Sequence, residues 1–548
     1  MPAASNTRVL DAAAVARASR PRDDVVGERP AGHTTADDGT ERLEFSLASG
    51  PFSAYRRVVE IDADTDGAGR TVRQRVEWTI AAPGWRWLYA LPVRAALRRL
   101  PPPTRAPWWA PPDRVDADVS VSLAALCTLS VVVGYLGTVI SQTMTFSADK
   151  FGRGKTAQSA VLAAVRVGVL LSVAVTAAAD RRGRRPLLLW GTVAACVATG
   201  AGALAPDLVT LGVTQTIARG LATGLGVLLL VVVAEELPAG SRAYGVSVLA
   251  LSAALGSGMV VWVLPVADLD VHAWRVVYAL PVLAVPLVLA AGRHLRESRR
   301  FVAARAGAGA RAATGRARAG SAGSVERSRL LLLGVSSLLL LAFRSPASQL
   351  QNEFLRDERG YSAAAITVFT LCTSTPAGIG VFLGGRLADT YGRRRIGAAG
   401  LVAGSLCVVG TYTTHGAALW AWAVAGSVSG ALTVSSLGVL GPELFGTSTR
   451  GRANGQITVL GVVGSSLGLL VAGVIGDRWS LGAAMAVLAA GPLLVTVLVL
   501  TRYPETAHLE LEALNPSDAA LDPAAAGSTG PAASPAASPR GPADAPTH

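Results

Sequence analysis

The chain has 548 residues, of which 51% are hydrophobic and only 16% are charged. A soluble protein of that size carries about 25% charged residues, so the surplus apolar material points to lipid and away from a soluble enzyme. The formal charge of +13 is almost wholly arginine, since Lys150 and Lys155 are the only lysines; the arginines gather between apolar runs, which argues against a nucleic-acid surface.

In chain order, residues 1–40 are small, polar and charged, and are expected to be a disordered N-terminus with no apolar leader. Residues 41–118 are expected to form a small cytoplasmic α+β or interfacial segment. Within it, 42–49, 55–63 and 71–80 alternate apolar and polar side chains, which predicts three short strands. Next comes GWRWLYALPVRAALRRL, where Trp85, Trp87, Leu88 and Leu91 stand among Arg94, Arg98 and Arg99. Two readings stay open for it: a helix lying at the headgroup level, or one that simply covers the sheet.

Twelve apolar runs of bilayer length follow, at roughly 120–142, 159–179, 187–204, 207–234, 244–266, 273–292, 330–352, 362–385, 396–413, 417–441, 454–476 and 481–501. Six precede an Arg-, Ala- and Gly-rich link at 293–329 and six follow it. The expected domains are therefore a bundle at 119–292, a cytoplasmic linker at 293–329, a second bundle at 330–502 and a largely disordered tail at 503–548. Links after even-numbered runs hold most of the arginines, and the positive-inside rule then predicts that both termini are cytoplasmic and the protein lies in the plasma membrane. Cys127, Cys196, Cys372 and Cys407 all fall inside apolar runs, as small hydrophobes do, and suggest neither a disulfide framework nor a metal site.

One charged phrase occurs twice. AAADRRGRRP ends at Pro186 and GGRLADTYGRRR ends at Arg395, each after an apolar run. Around them Asp180 matches Asp389, Glu235 matches Glu443, Arg242 matches Arg450 and Glu297 matches Glu505, at offsets of 208 or 209 residues. Matched charges at one offset indicate an internal duplication. A turn of a few residues between two crossings needs Gly for backbone freedom, its arginines stay on the anionic cytoplasmic face, and an Asp at a helix end can cap a neighbouring helix.

On these residues the chain resembles the major facilitator superfamily over about 120–514. Gly385, Leu387, Asp389, Gly392, Arg393 and Arg394 fit its signature between helices 2 and 3; the first copy keeps Asp180, Gly183, Arg184 and Arg185 but has Thr176 and Ala178 in place of the glycine and leucine. AEELPAGSR, GPELFGTSTR, RESRRF and PETAHLELEAL resemble motifs of its sugar-porter and organic-ion branches. The resemblance implies an all-α membrane protein of twelve transmembrane helices in two pseudo-symmetric six-helix bundles, with the small N-terminal α+β extension outside them. It also implies two gating charge networks: Arg184 and Arg185 meeting Glu235, Arg242 and Glu297, and Arg393 and Arg394 meeting Glu443, Arg450 and Glu505, with Asp180 and Asp389 at the turns.

Charges in mid-span are costly and usually functional. Arg166, Arg219 and Arg344 are such residues, and Arg219 stands in IARGLATG, which resembles the superfamily's helix 4 motif. With Gln349, Gln351, Asn352 and Trp422 they form the candidate substrate-binding set. Helix–helix bonding, snorkelling and interfacial anchoring are the structural alternatives for the same residues. The first run has no mid-span acid to carry a proton, and ALGSGM around Gly256 and Gly258 lacks the proline-bearing glycine motif of drug antiporters. GRGKT at 152–156 imitates a phosphate loop without its leading glycine or preceding strand, and reads as a plain loop.

The expected function is a proton-coupled secondary active transporter of small polar solutes (sugar, organic ion or metabolite) working by alternating access, as a monomer without cofactor or metal. Its expected partners are a small-molecule substrate, the lipid bilayer and protons. It is expected not to be an enzyme. The competing readings are an efflux carrier of drug-like compounds and a non-transporting membrane sensor on the same fold.

Overall fold

The computed structural model describes residues 2–62, 69–103, 106–107, 109–111, 113–238, 241–295, 297, 324–380, 387, 391–437 and 450–504. The N-terminal region is an antiparallel sheet of β1 (Ala3–Leu10), β2 (Gly27–Thr35), β3 (Glu41–Ser49), β4 (Phe52–Ile61) and β5 (Arg70–Ile80), in the order β1-β5-β4-β3-β2. Its buried face is covered at one end by α1 (Ala12–Ala18), through Val15 and Ala18 against Val59, Ile61 and Val72. At the other end α2 (Arg86–Leu97) lays Val93, Ala96 and Leu97 on Phe52, Val76 and Trp78.

Residues 1–40, expected to be disordered, therefore contain two strands and a helix. β2 is an edge strand with most of its side chains exposed, and β1 is mostly exposed too, so neither shows the period-two signal of a half-buried strand. Three of the charges that suggested disorder, Arg22, Asp24 and Glu28, are buried in pairs, Glu28 with Arg57 of β4. Arg57 meets Glu28 at 2.7 Å and Arg22 meets Asp24 at 2.8 Å, all four side chains being fully buried. Further donors are satisfied by backbone carbonyls: Arg57 bonds Ala18 and Arg20, and Arg22 bonds Ala96 and Leu97. Removing one member of such a pair would leave an uncompensated charge, at a cost of about 3–5 kcal/mol.

Eleven helices among the described residues are long and apolar enough to cross a membrane. These are α3 (Ala117–Lys150), α4 (Lys155–Thr176), α5 (Arg184–Leu204), α6 (Leu208–Val233), α7 (Tyr244–Asp268) and α8 (Trp274–Gly292) in the first half. In the second half they are α9 (Arg327–Gln349), α10 (Ala363–Gly380), α11 (Arg393–Thr413), α13 (Gly455–Arg478) and α14 (Leu481–Arg502). Between α11 and α13 lies α12 (Gly416–Leu437), a helix of 22 residues; it takes the place of the expected tenth crossing, of which 438–441 lies outside the described residues. The helix that contains α9 begins at Ser324, inside the link expected to run to 329. The rest of that link, 298–323, and the tail from 505 also lie outside the described residues.

By internal contacts the chain forms two compact units: Met1–Ala319 with Arg344–Leu371 and Ser465–Met485, and Gly320–Phe343 with Cys372–Gly464 and Ala486–His548. The duplication is visible inside each. In the first, α5 packs on α6 and on α8; in the second, α11 packs on α12 and on α14. Within the first unit α3 and α7 meet backbone to backbone. A methyl group on Gly134 would strike the Ala253 carbonyl and one on Gly256 the Val131 carbonyl, while Ser130 Oγ donates to the Leu249 carbonyl at 2.9 Å. Small residues allow this approach in lipid, where packing rather than burial drives association.

Candidate functional site

The two copies of the charged turn share one backbone device. Gly183 has φ +100° and Gly392 φ +95°, a region that side-chain-bearing residues rarely adopt. Each glycine immediately precedes the first residue of the next crossing, α5 or α11. In the first copy the freed N–H groups of that helix start have a partner: Glu297 accepts from the Arg184 N–H at 2.9 Å and from the Arg185 N–H at 3.3 Å. A carboxylate there meets the positive end of the helix dipole. Arg184 pairs through its side chain with Glu235, and Arg185 reaches the Gly292 carbonyl at 3.5 Å. Glu297 thus engages backbone rather than the two guanidinium groups expected from the sequence. The side chains of Asp180 and Arg242 lie outside the described residues. In the second copy Arg394 donates to the Val499 carbonyl at 3.2 Å and to that of Leu500, satisfying acceptors near the C-terminal end of α14. Arg393 is half-buried. Asp389, Glu443, Glu505 and the Arg450 side chain lie outside the described residues.

A polar chain crosses the first unit, joining the middle of α4 and of α13 to the last turn of α9. Ser465 Oγ, from α13, donates to Ser345 Oγ at 2.7 Å. With its amide turned to accept, Gln349 receives Ser345 Oγ at 2.9 Å and both Nε and Nη2 of Arg166 at 2.7 Å. Gln349, Ser345 and Ser465 are all buried. Arg219, half-buried in α6, stands near enough to Arg166 to feel its charge. Neither arginine has a carboxylate ion-pair partner among the described residues. Two uncompensated cations at this depth are costly, and an anion or a hydroxyl-rich solute would relieve that cost.

The remaining predicted binding residues are placed elsewhere. Arg344 is exposed and Gln351 half-buried. Asn352 is buried, donating to the Gln142 backbone carbonyl at 2.8 Å and to its side-chain oxygen at 2.9 Å, so it ties the chain after α9 to α3. Trp422, 41% exposed, packs its ring on Gly410 of α11.

Sequence reasoning missed a third network, at the end of the first unit away from the sheet. Arg356 donates to Asp149 at 2.8 Å and to Asp268 at 2.6 Å, over the Phe146 ring at 4.4 Å. Lys155 meets Glu358 at 2.8 Å, and Glu358 also accepts the Leu481 N–H at 2.9 Å. Asp477 caps the start of α4, accepting the N–H groups of Lys155 and Thr156 at 2.9 Å each. The GRGKT stretch is thus a helix start that receives a carboxylate from α13. At the centre lies Glu353, 1% exposed and with no cation beside it among the described residues, facing Gln158, Thr145 and Asp357. Its Oε2 has no hydrogen-bond partner. Burial first, and then repulsion from Asp357, push its carboxyl up to about 8. The signal was available in opposite charges at the ends of several runs, but these charges balance, so counting arginines passed over them.

Comparison with known proteins follows the same lines. The family model described as Major Facilitator Superfamily matches residues 332–526. Among solved structures, the fold is similar to that of the xylose transporter XylE from E. coli in an inward-open conformation (TM-score 0.59, 17% identity, 73% of this chain and 99% of that one). It is similar also to the nucleoside transporter NupG (TM-score 0.58, 10% identity, 70% and 100%). A third is a bacterial homolog to the human lysosomal transporter Spinster (TM-score 0.56, 14% identity, 69% and 95%). The sequence match thus lies in the second half of this multi-pass membrane protein, and the fold shared with these transporters spans both halves.

Proposed function

We propose that the chain is a secondary active transporter of small polar solutes, with both termini cytoplasmic in a plasma membrane, working as a monomer by alternating access. The observation that carries this reading is the polar chain of Arg166, Gln349, Ser345 and Ser465 with Arg219 beside it. It supplies fixed donors and positive charge at the depth where a carrier holds its cargo. The substrate class it favours is a hydroxyl-rich or anionic metabolite; a sugar and a nucleoside are the cargoes named for XylE and NupG.

Proton coupling enters through Glu353. A buried carboxyl with no cation beside it among the described residues exchanges its proton in the range where cells operate, and it sits where Arg356, Lys155 and Asn352 fasten helix ends together. The gating roles of the repeated-turn charges belong to the same proposal: several modest ion pairs sum to a few kcal/mol, within the range of about 5.5 kcal/mol that inverts a two-state population.

Purified protein in liposomes, assayed for uptake and counterflow of sugars, nucleosides and organic acids, tests the reading. Accumulation of one class, lost on dissipating the pH gradient, is the expected result. Vesicles that bind solute and move none would instead favour a sensor, a reading kept alive by the sheet domain packed on α3, where Trp85 donates to Thr128 at 3.0 Å.

A further inference from the structure

A cavity of about 470 Å³ lies between the N-terminal domain and the flank of α3 and α7. That is within the ~300–1,000 Å³ of small-molecule sites. Its walls are Phe52, Leu88, Trp109, Leu123, Val248 and Leu251. Its polar points are Tyr89 and Tyr244, hydrogen-bonded to each other, Ser120, Ser252 and Arg114, with Asp23 and Asp24 each neutralised by an arginine, Arg114 and Arg22. The solute chemistry described above does not use this space.

Depth identifies what surrounds the cavity. The hydrocarbon slab takes about 20 residues of helix. Centred on the 34 residues of α3, that stretch runs from about residue 124 to about 143. Thr128, which receives Trp85, is inside it. The start of α2 therefore sits below the headgroups. Trp87 is 71% exposed and Leu91 75%, which is costly in water and favourable against lipid. On α7, Leu251 is 71% exposed beside the same cavity. A slab so centred would place the cavity's apolar rim, with Trp87, Leu91 and Leu251, against lipid.

Charge identifies the other end of the occupant. α2 and the two residues after it expose Arg86, Arg94, Arg98 and Arg99 with no Asp or Glu between them. Among the described residues none of the four forms an ion pair with a carboxylate. Trp87, Leu91, Arg94 and Arg98 follow one another at helical spacing, so one exposed face passes from apolar to basic along its length. Such a face matches an acyl chain that ends in a phosphate.

We propose that this cavity binds one acyl chain of an anionic phospholipid, with the headgroup phosphate held by Arg94, Arg98 and Arg99 at the end of α2. The N-terminal domain then acts as one wall of a lipid site completed by α3 and α7. Which solute crosses the bundle does not bear on it.

Native mass spectrometry of the full chain, purified in mild detergent and mixed with dioleoyl phosphatidylglycerol or dioleoyl phosphatidylcholine, tests this. The expected result is one phosphatidylglycerol retained per chain, at least ten-fold more tightly than phosphatidylcholine. V248W, which fills the cavity, should lose retention of both lipids. R94Q with R98Q should abolish the preference between headgroups. Equal retention of the two lipids by the wild type, or unchanged retention by V248W, overturns the proposal. Should V248W fail to fold, Cys127, which also lines the cavity, gives a second reading in a chain lacking the other three cysteines. Its labelling by an apolar maleimide should slow at least five-fold with phosphatidylglycerol, and an unchanged rate overturns the site.

Discussion

The two ends of the first unit are fastened by different means. At the sheet end, Glu297 caps a helix start beside the Arg184–Glu235 pair. At the opposite end, Arg356 spans two aspartates, Asp477 caps α4, and an acid with no counter-charge beside it among the described residues is enclosed with them. The sheet-end cluster repeats a whole charged phrase, whereas the opposite cluster repeats only single acids, Asp149 with Asp357 and Asp268 with Asp477, at offsets of 208 and 209 residues. A repeated phrase advertises a network to anyone reading the chain. Isolated acids whose partners stand up to 322 positions away are silent until the fold brings them together.

The comparison is most directly broken at Arg356. R356A removes the partner of both Asp149 and Asp268 in a half-buried setting, and transport should fall at least ten-fold while insertion into the membrane is unchanged. Solute flux and surface abundance measured together check this. Flux within two-fold of wild type would strip the far end of its role.

Glu353 should set a pH dependence that the sheet end lacks. Its carboxyl is raised to about 8 in the fastened arrangement, so the proton is held there while a water-exposed copy of the group would already have lost it. The contribution to fastening is complete below the usual carboxylate range and is lost as pH rises through about 8. The distance between spin labels on N352C and Q142C should therefore lengthen or broaden at pH 9 relative to pH 6. E353Q should flatten that dependence, and a dependence that persists in E353Q would assign it to another group.

E297Q should have a smaller effect, since one helix cap is worth about 0.5–2 kcal/mol. The thermal midpoint should drop by a few degrees and flux by a few-fold. If E297Q matches R356A in severity, the two ends are equal clasps after all. R219A should leave both ends alone, change the midpoint little and weaken substrate binding about ten-fold or more, as expected for a charged hydrogen bond. Lost expression with unchanged affinity in the remaining protein would make Arg219 a packing residue.

Much of the architecture was legible because lipid imposes it. Long apolar runs, arginine turns and matched offsets gave the crossings and the duplication, and alternation gave β3 and β5 to within one residue and β4 to within three. What stayed hidden shares one physical cause, compensation. Glu28, Arg57, Arg22 and Asp24 read as solvated charges because pairing, which permits their burial, leaves no mark on local pattern. β1 and β2 are edge strands whose order comes from hydrogen-bond register with neighbours. Gln349 and Asn352 stand three residues apart with similar chemistry; one joins the polar chain to Arg166 and the other a tie to Gln142. Nothing local separates those fates.

The interlocked glycines of α3 and α7 have a mechanical corollary. With Gly134 against Ala253 and Gly256 against Val131, neither helix can slide or tilt without driving its backbone into the other. In the proposed alternating-access cycle the pair would travel as a single plank, carrying along the sheet bolted to α3 through Trp85.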